Sequence, residues 1–397
     1  MKKTIILFTI LFAFLEGTMA QVAIVADSIF PVTSPIIRKG VILINKGKIE
    51  KIGLETEIKI PNGYKIVKAN VVTPGFIDAR STIGMSGIFN NNTDQDQLEK
   101  SSPIQPELRA IDAYNPEEKL VSVARGYGIT TLHTGHGIGA LVSGQTMVVS
   151  TKPGTVESVT IKPLCMLAMT LGSGVSGVYS SPGTKAKQMS MIRTELLKAR
   201  EYQKKMNEKD STKRPSFDLK MDMLSKLLKG EIKAMITANR SVDIMSAIRL
   251  TNEFQLKLVI DGAAEAYRLI DEIKAAKAEI ILHATMARNE DDMLNMSRES
   301  ASLLTKAGIP VSIESGYEGY VPKTRIVLFE AAVAMSFGLT YEDALKSITI
   351  NPAKLLGLEK ERGSLEKGKK ADLVLFDGDP FEYTTHITEV YIDGIKY

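Results

Sequence analysis

Between residues 72 and 337, short apolar runs alternate with helical patterns, and this alternation constrains the fold more than any other feature of the chain. Runs at 72–77, 129–133, 146–149, 166–171, 233–237, 256–260, 279–282 and 310–313 read as buried strands. Stretches at 116–125, 242–254, 265–275, 298–307 and 326–337 read as the intervening helices. A β/α series of about eight units predicts an α/β fold, a parallel (β/α)8 barrel whose chemistry sits at the carboxyl ends of the strands. The flanks differ from the middle. Residues 21–72 and 351–397 carry short strand patterns around the turns Lys46-Gly47, Asp377-Gly378-Asp379-Pro380 and Asp393-Gly394. The two termini are therefore expected to build one small composite β-sandwich domain beside a barrel spanning 73–350.

Two stretches interrupt the series. Residues 90–115 are long and polar, as expected of a loop over the barrel mouth. Residues 193–229 are lysine-rich and predict two helices around a turn near 210–215, their charges forming a solvated face. At the amino end, Lys2 and Lys3 precede an apolar run over 4–15, with small residues at 18 and 20 before Gln21. That pattern predicts a signal peptide over 1–20, and an exported protein, periplasmic or secreted. The run is too short to cross a bilayer, no later stretch is long enough, and no cysteine follows the cut to carry a lipid. No membrane span is expected once the signal is removed.

Composition limits the chemistry. The 397 residues include four histidines, at 133, 136, 283 and 386, and one cysteine, Cys165. A single cysteine excludes an intramolecular disulfide and a CxxC metal or redox site. Cys165 lies in an apolar stretch near the start of a strand and reads as a buried thiol. There is no GxSxG, and Gly172-Ser173-Gly174 is too short for a phosphate cradle. A balance of 50 Lys+Arg against 46 Asp+Glu gives no reason to expect a nucleic acid or other polyanion as partner.

The stretch Val72-Thr73-Pro74-Gly75-Phe76-Ile77-Asp78-Ala79, following a small sheet domain, resembles the first barrel strand of the amidohydrolase superfamily. Asn351-Pro352-Ala353-Lys354-Leu355-Leu356-Gly357-Leu358 and the run from Gly363-Ser364-Leu365 through Ala371-Asp372-Leu373-Val374-Leu375-Phe376 resemble that superfamily's tail. Residues 106–113 and Gly144-Gln145 are similar to the imidazolonepropionase-related branch. The resemblance covers about 22–397 and implies a metal-dependent hydrolase fold acting on carbon–nitrogen bonds other than peptide bonds. It also implies one or two divalent metals, held by an HxH on the first strand, a lysine or glutamate on the fourth, histidines on the fifth and sixth, and an aspartate on the eighth.

At those positions this chain has other residues. The HxH reads Arg80-Ser81-Thr82, the fourth strand offers Ala168, the fifth Asn239, the sixth Gly262 and the eighth Gly316. A guanidinium repels a divalent cation, and a threonine hydroxyl coordinates one poorly. No pair of the four histidines forms an HxH. The expectation is a non-catalytic homologue without metal or other cofactor, working beside a homologous amidohydrolase subunit or as a homodimer. A second reading is a metal-free or remodelled hydrolase using Arg80, His133, Asn239 and Glu314, with zinc only in that case. A third is a small-molecule binding protein whose Arg80 favours an anion. In these readings His283 and Glu314 face the pocket with His133, Glu314 pairs with Arg80, and Asp261, one residue before Gly262, points outward to the helices.

Overall fold

The computed structural model describes residues 21–89, 91–316 and 325–397. The signal segment expected over 1–20 lies outside the described residues. Strands β1 (Val22–Ile29), β2 (Ile37–Asn45), β3 (Lys48–Leu54) and β4 (Lys65–Pro74) come first. The barrel strands follow: β5 (Phe76–Ser81), β6 (Ile129–Gly135), β7 (Val142–Ser150), β8 (Thr160–Lys162), β9 (Met166–Thr170), β10 (Lys233–Ala238), β11 (Leu258–Gly262), β12 (Glu279–Leu282) and β13 (Val311–Ile313). The chain closes with β14 (Leu373–Phe376), β15 (Ile387–Ile392) and β16 (Ile395–Lys396).

The outer strands form one continuous seven-stranded sheet, ordered β16-β15-β14-β4-β1-β2-β3. A sandwich needs two packed sheets, so the expected sandwich is corrected to a single sheet buried on both faces. Its alternation shows why. Val22, Ile24, Ile42 and Ile44 point to one face, where Leu373, Leu375 and Tyr391 join them, while Ala23, Val41 and Leu43 point to the other, covered by Ile58, Ile60 and Tyr64. The β2–β3 hairpin turns on Lys46 and Gly47, both at positive φ (49° and 74°), as a two-residue turn between right-twisted strands requires.

The barrel sheet runs β13-β12-β11-β10-β9-β7-β6-β5 and is nearly closed by one parallel bridge between Ser81 and Gly316. It is not all-parallel. β7 is antiparallel to both β6 and β9, because only residues 136–141 separate β6 from β7, and a parallel crossover needs a dozen or more. Apart from the short β8, which pairs with β7 antiparallel and lies off this path, the other barrel pairs are parallel. Helices Lys119–Gly126, Ser241–Phe254, Ile270–Ala275, Ser300–Lys306 and Val327–Ser336 stand where the periodicity placed them. Helices Lys185–Met206 and Leu219–Leu228 flank a turn containing 210–215.

Inside the barrel, Ile77, Ala79, Val148, Met166, Ala168, Met235, Val259 and Ile281 pack into a core that helix Ile350–Leu355 closes from below. Two lysines hold that helix: Lys162 donates to the Leu356 carbonyl, and Lys233 to that of Leu355 at 2.9 Å. Such cations at a helix C-terminus satisfy carbonyls that have no intrahelical partner.

Candidate functional site at the barrel mouth

A cavity of about 120 Å³ opens at the carboxyl ends of the strands. Strand alternation sets which side chains reach it. Val259 packs inside the barrel, so Asp261, two residues on, also points inward; by the same rule Met235 brings Thr237, and Ile281 brings His283. The outward placement expected for Asp261 is thus corrected. Gly262 is where β11 leaves regular geometry, at φ 78°, so it does not set the phase of the strand. A Cβ on Gly262 would lie 2.4 Å from Asn239 Oδ1, so the two positions are fitted to each other. Gly316 also has a left-handed backbone, φ 68°, and its N–H closes the barrel on the Arg80 carbonyl at 3.1 Å.

Arg80 is 4% exposed and lines the cavity. Its guanidinium donates to the Ser81 carbonyl at 3.1 Å and to the His136 carbonyl. The expected direct pair with Glu314 is therefore replaced by two backbone acceptors, and Glu314 acts on Arg80 through charge, together with Asp261 and Asp78. Asp78 anchors the closure: it accepts from the Arg80 and Ser315 amides at 3.2 and 3.0 Å, and from the Ser315 hydroxyl. Burial pushes its carboxyl up to about 6 against those bonds. Glu314 is 7% exposed, and burial together with the Asp261 charge holds its carboxyl well above the usual range.

The remaining candidates separate. His283, 3% exposed, is on the cavity wall, its Nδ1 on the Ala284 carbonyl at 2.8 Å. His133 is instead fully buried within the barrel wall, bonded to the Ala79 carbonyl and Thr146 Oγ1, each at 2.7 Å, and is not among the cavity-lining side chains. Burial and then the Arg80 charge drive its pKa down to about 3. Thr82 shares a 2.9 Å hydrogen bond with Ser86, Asn239 is half-buried at the mouth, and Ala168 lies in the apolar floor. Cys165 is a free thiol that burial raises to about 12, far from nucleophilic. Thr237, which donates to Asp261 Oδ2 at 2.5 Å, was not foreseen from the sequence; the phase of Met235 would have found it. Among the described residues, no three His, Cys, Asp or Glu side chains are grouped to hold a metal ion.

In an eight-stranded barrel with a second sheet beside it, the mouth at the carboxyl ends of the strands is where such folds place their chemistry. A sequence model of the amidohydrolase family matches residues 237–395. The crystal structure of an amidohydrolase from Thermotoga maritima MSB8 superposes with a TM-score of 0.89 at 31% identity, over 94% of this chain and 99% of that one. The chain belongs to the amidohydrolase family. Amidohydrolase tasK of Hapsidospora irregularis is 22% identical over 389 residues, 89% of this chain but only 39% of that protein. The imidazolonepropionase of Sphingopyxis alaskensis is 41% identical over 70 residues, 17% of each chain. The chain thus spans well under two thirds of the length of either of these two relatives.

Proposed function

We propose that this chain is a non-catalytic member of the amidohydrolase family, whose barrel mouth holds a small ligand in place of a metal. It is exported and acts beside a homologous amidohydrolase subunit or a second copy of itself. The observation that carries the reading is Arg80, a buried cation tied to two backbone carbonyls at the place of the first expected metal ligand. The donor set does not fit a divalent metal: Arg80 repels it, Thr82 is engaged with Ser86, and Ala168, Gly262 and Gly316 supply no donor side chain. Export rests on the 1–20 pattern, and the homologous partner on the persistence of the scaffold around the altered positions.

The test is metal quantification on purified protein dialysed against zinc, with hydrolysis of N-acyl amides and cyclic ureides followed in parallel. Well under one equivalent of zinc and no turnover are expected; one equivalent with chelator-sensitive turnover overturns the reading. One observation favours a second reading. Asp261 and a Glu314 kept protonated beside it could share acid–base work without a metal. Turnover that survives chelation and disappears in Glu314→Gln is the signature of that case.

A further inference from the structure

We infer that the barrel mouth is built for a primary ammonium group, seated on Asp261, His283 and Asn239. The inference rests on the metal-free reading above and names its ligand class. Among the described residues, two buried acceptor atoms on the cavity wall have no protein partner, His283 Nε2 and Asn239 Oδ1, and beside them Asp261 Oδ1 meets no donor other than the Glu314 carboxyl. Asp261 is 2% exposed, and its other oxygen is taken by the Thr237 hydroxyl. The role of His283 follows from its neighbour. A carbonyl can only accept, so Nδ1 carries the proton toward Ala284, and Nε2 of the neutral ring offers a lone pair.

An ammonium has three donors and no acceptor, which matches this wall. A carboxylate would face the Asp261 carboxyl and the His283 lone pair and could pair with neither, an outcome that costs more than a missing hydrogen bond. Charge points the same way. Arg80, which by itself favours an anion, is directed at two carbonyls and is surrounded by Asp78, Asp261 and Glu314, while the second cation on the wall, Arg325, lies 4.0 Å from Glu330. Ile138, Ala287 and Met293 supply apolar wall for a short alkyl stem, and about 120 Å³ limits its length.

The probes are n-propylammonium, propionamide and propionate, which share a shape and differ in head group. Binding is read by ligand-observed NMR and by thermal shift on the full-length protein, with zinc content measured on the same sample. Propylammonium is expected to bind at least tenfold more tightly than propionate, and Asp261→Asn to lose at least tenfold. Asn239→Ala, at a half-buried position, is expected to weaken binding while leaving the fold intact. Propionate binding as well as the amine, or Asn239→Ala and a folded Asp261→Asn both binding like wild type, overturns the ligand class and leaves the metal-free reading standing. One equivalent of tightly held zinc that amines do not displace overturns that reading and the ligand with it.

Discussion

Three buried imidazoles, those of His133, His136 and His283, make this protein sensitive to acid. His133 and His136 are held neutral, with pKa values near 3 and 4, by burial first and by the Arg80 charge second. An unfolded histidine titrates near about 6.5. Above that pH both states carry neutral rings. As pH falls below it, the unfolded chain takes up protons that the native state refuses, and stability is lost until the native pKa values are passed. Each pH unit in that window costs roughly 1.4 kcal/mol per ring. Asp78 works in the opposite sense, since its carboxyl is raised to about 6 and the native state binds its proton first. The comparison must therefore be between variants. The loss of stability in urea from pH 6 to pH 4 should be shallower in His133→Asn than in the wild type, by about 1–3 kcal/mol. Identical slopes would show that His133 does not titrate as its burial requires.

Single elements carry a different kind of constraint. Gly262 ends β11 with a left-handed backbone, and its missing Cβ makes room for Asn239. Gly262→Ala is expected to destabilise by about 2–3 kcal/mol, roughly 1–2 of it from the left-handed backbone itself. Adding Asn239→Ala should recover only the steric remainder, so denaturation midpoints in that order (wild type, double variant, single variant) are the check. Full recovery in the double variant would mean the backbone is unstrained. The same strand shows what the sequence could and could not reveal. Val259 and Ile260 read correctly as strand, but the inward phase is visible only once Val259 is seen among the barrel's interior residues. Anchored instead on Gly262, the alternation put Asp261 on the wrong side. Likewise 146–149 read as a strand, while its reversal depended on how few residues follow β6, a length that apolar periodicity does not weigh. The family motifs at 74–78 and 351–376 were legible because turns and helix ends impose particular residues. The arrangement of Arg80, Asp261 and Glu314 was not, since it depends on three distant strand ends meeting.

At the scale of the whole molecule, the barrel and the outer sheet share one apolar core. Val374, Phe376, Val390 and Ile392 of the sheet belong to the same buried cluster as the helices and strands of the barrel, and the Phe76 and Phe376 rings lie 6.2 Å apart. Polar ties reinforce the joint: Lys152 of the barrel reaches Asp393 at 3.0 Å, beside the buried Arg362–Asp372 pair. Two bodies joined in this way should unfold together. Calorimetry is expected to give one transition for the full chain, and two well-separated peaks would contradict a shared core.

The order of strands in the outer sheet also sets an order in time. β14 pairs with β4, Leu373 opposite Pro74, so partners roughly 300 residues apart must meet before the sheet is complete. A chain emerging from its amino end presents β4 with one edge unpaired throughout synthesis of the barrel. That edge is a ready template for another chain until residues 373–376 arrive. The strands from Leu373 onward therefore guard the amino-terminal sheet against association with the wrong partner, and a truncation that leaves the entire barrel intact should still yield aggregates.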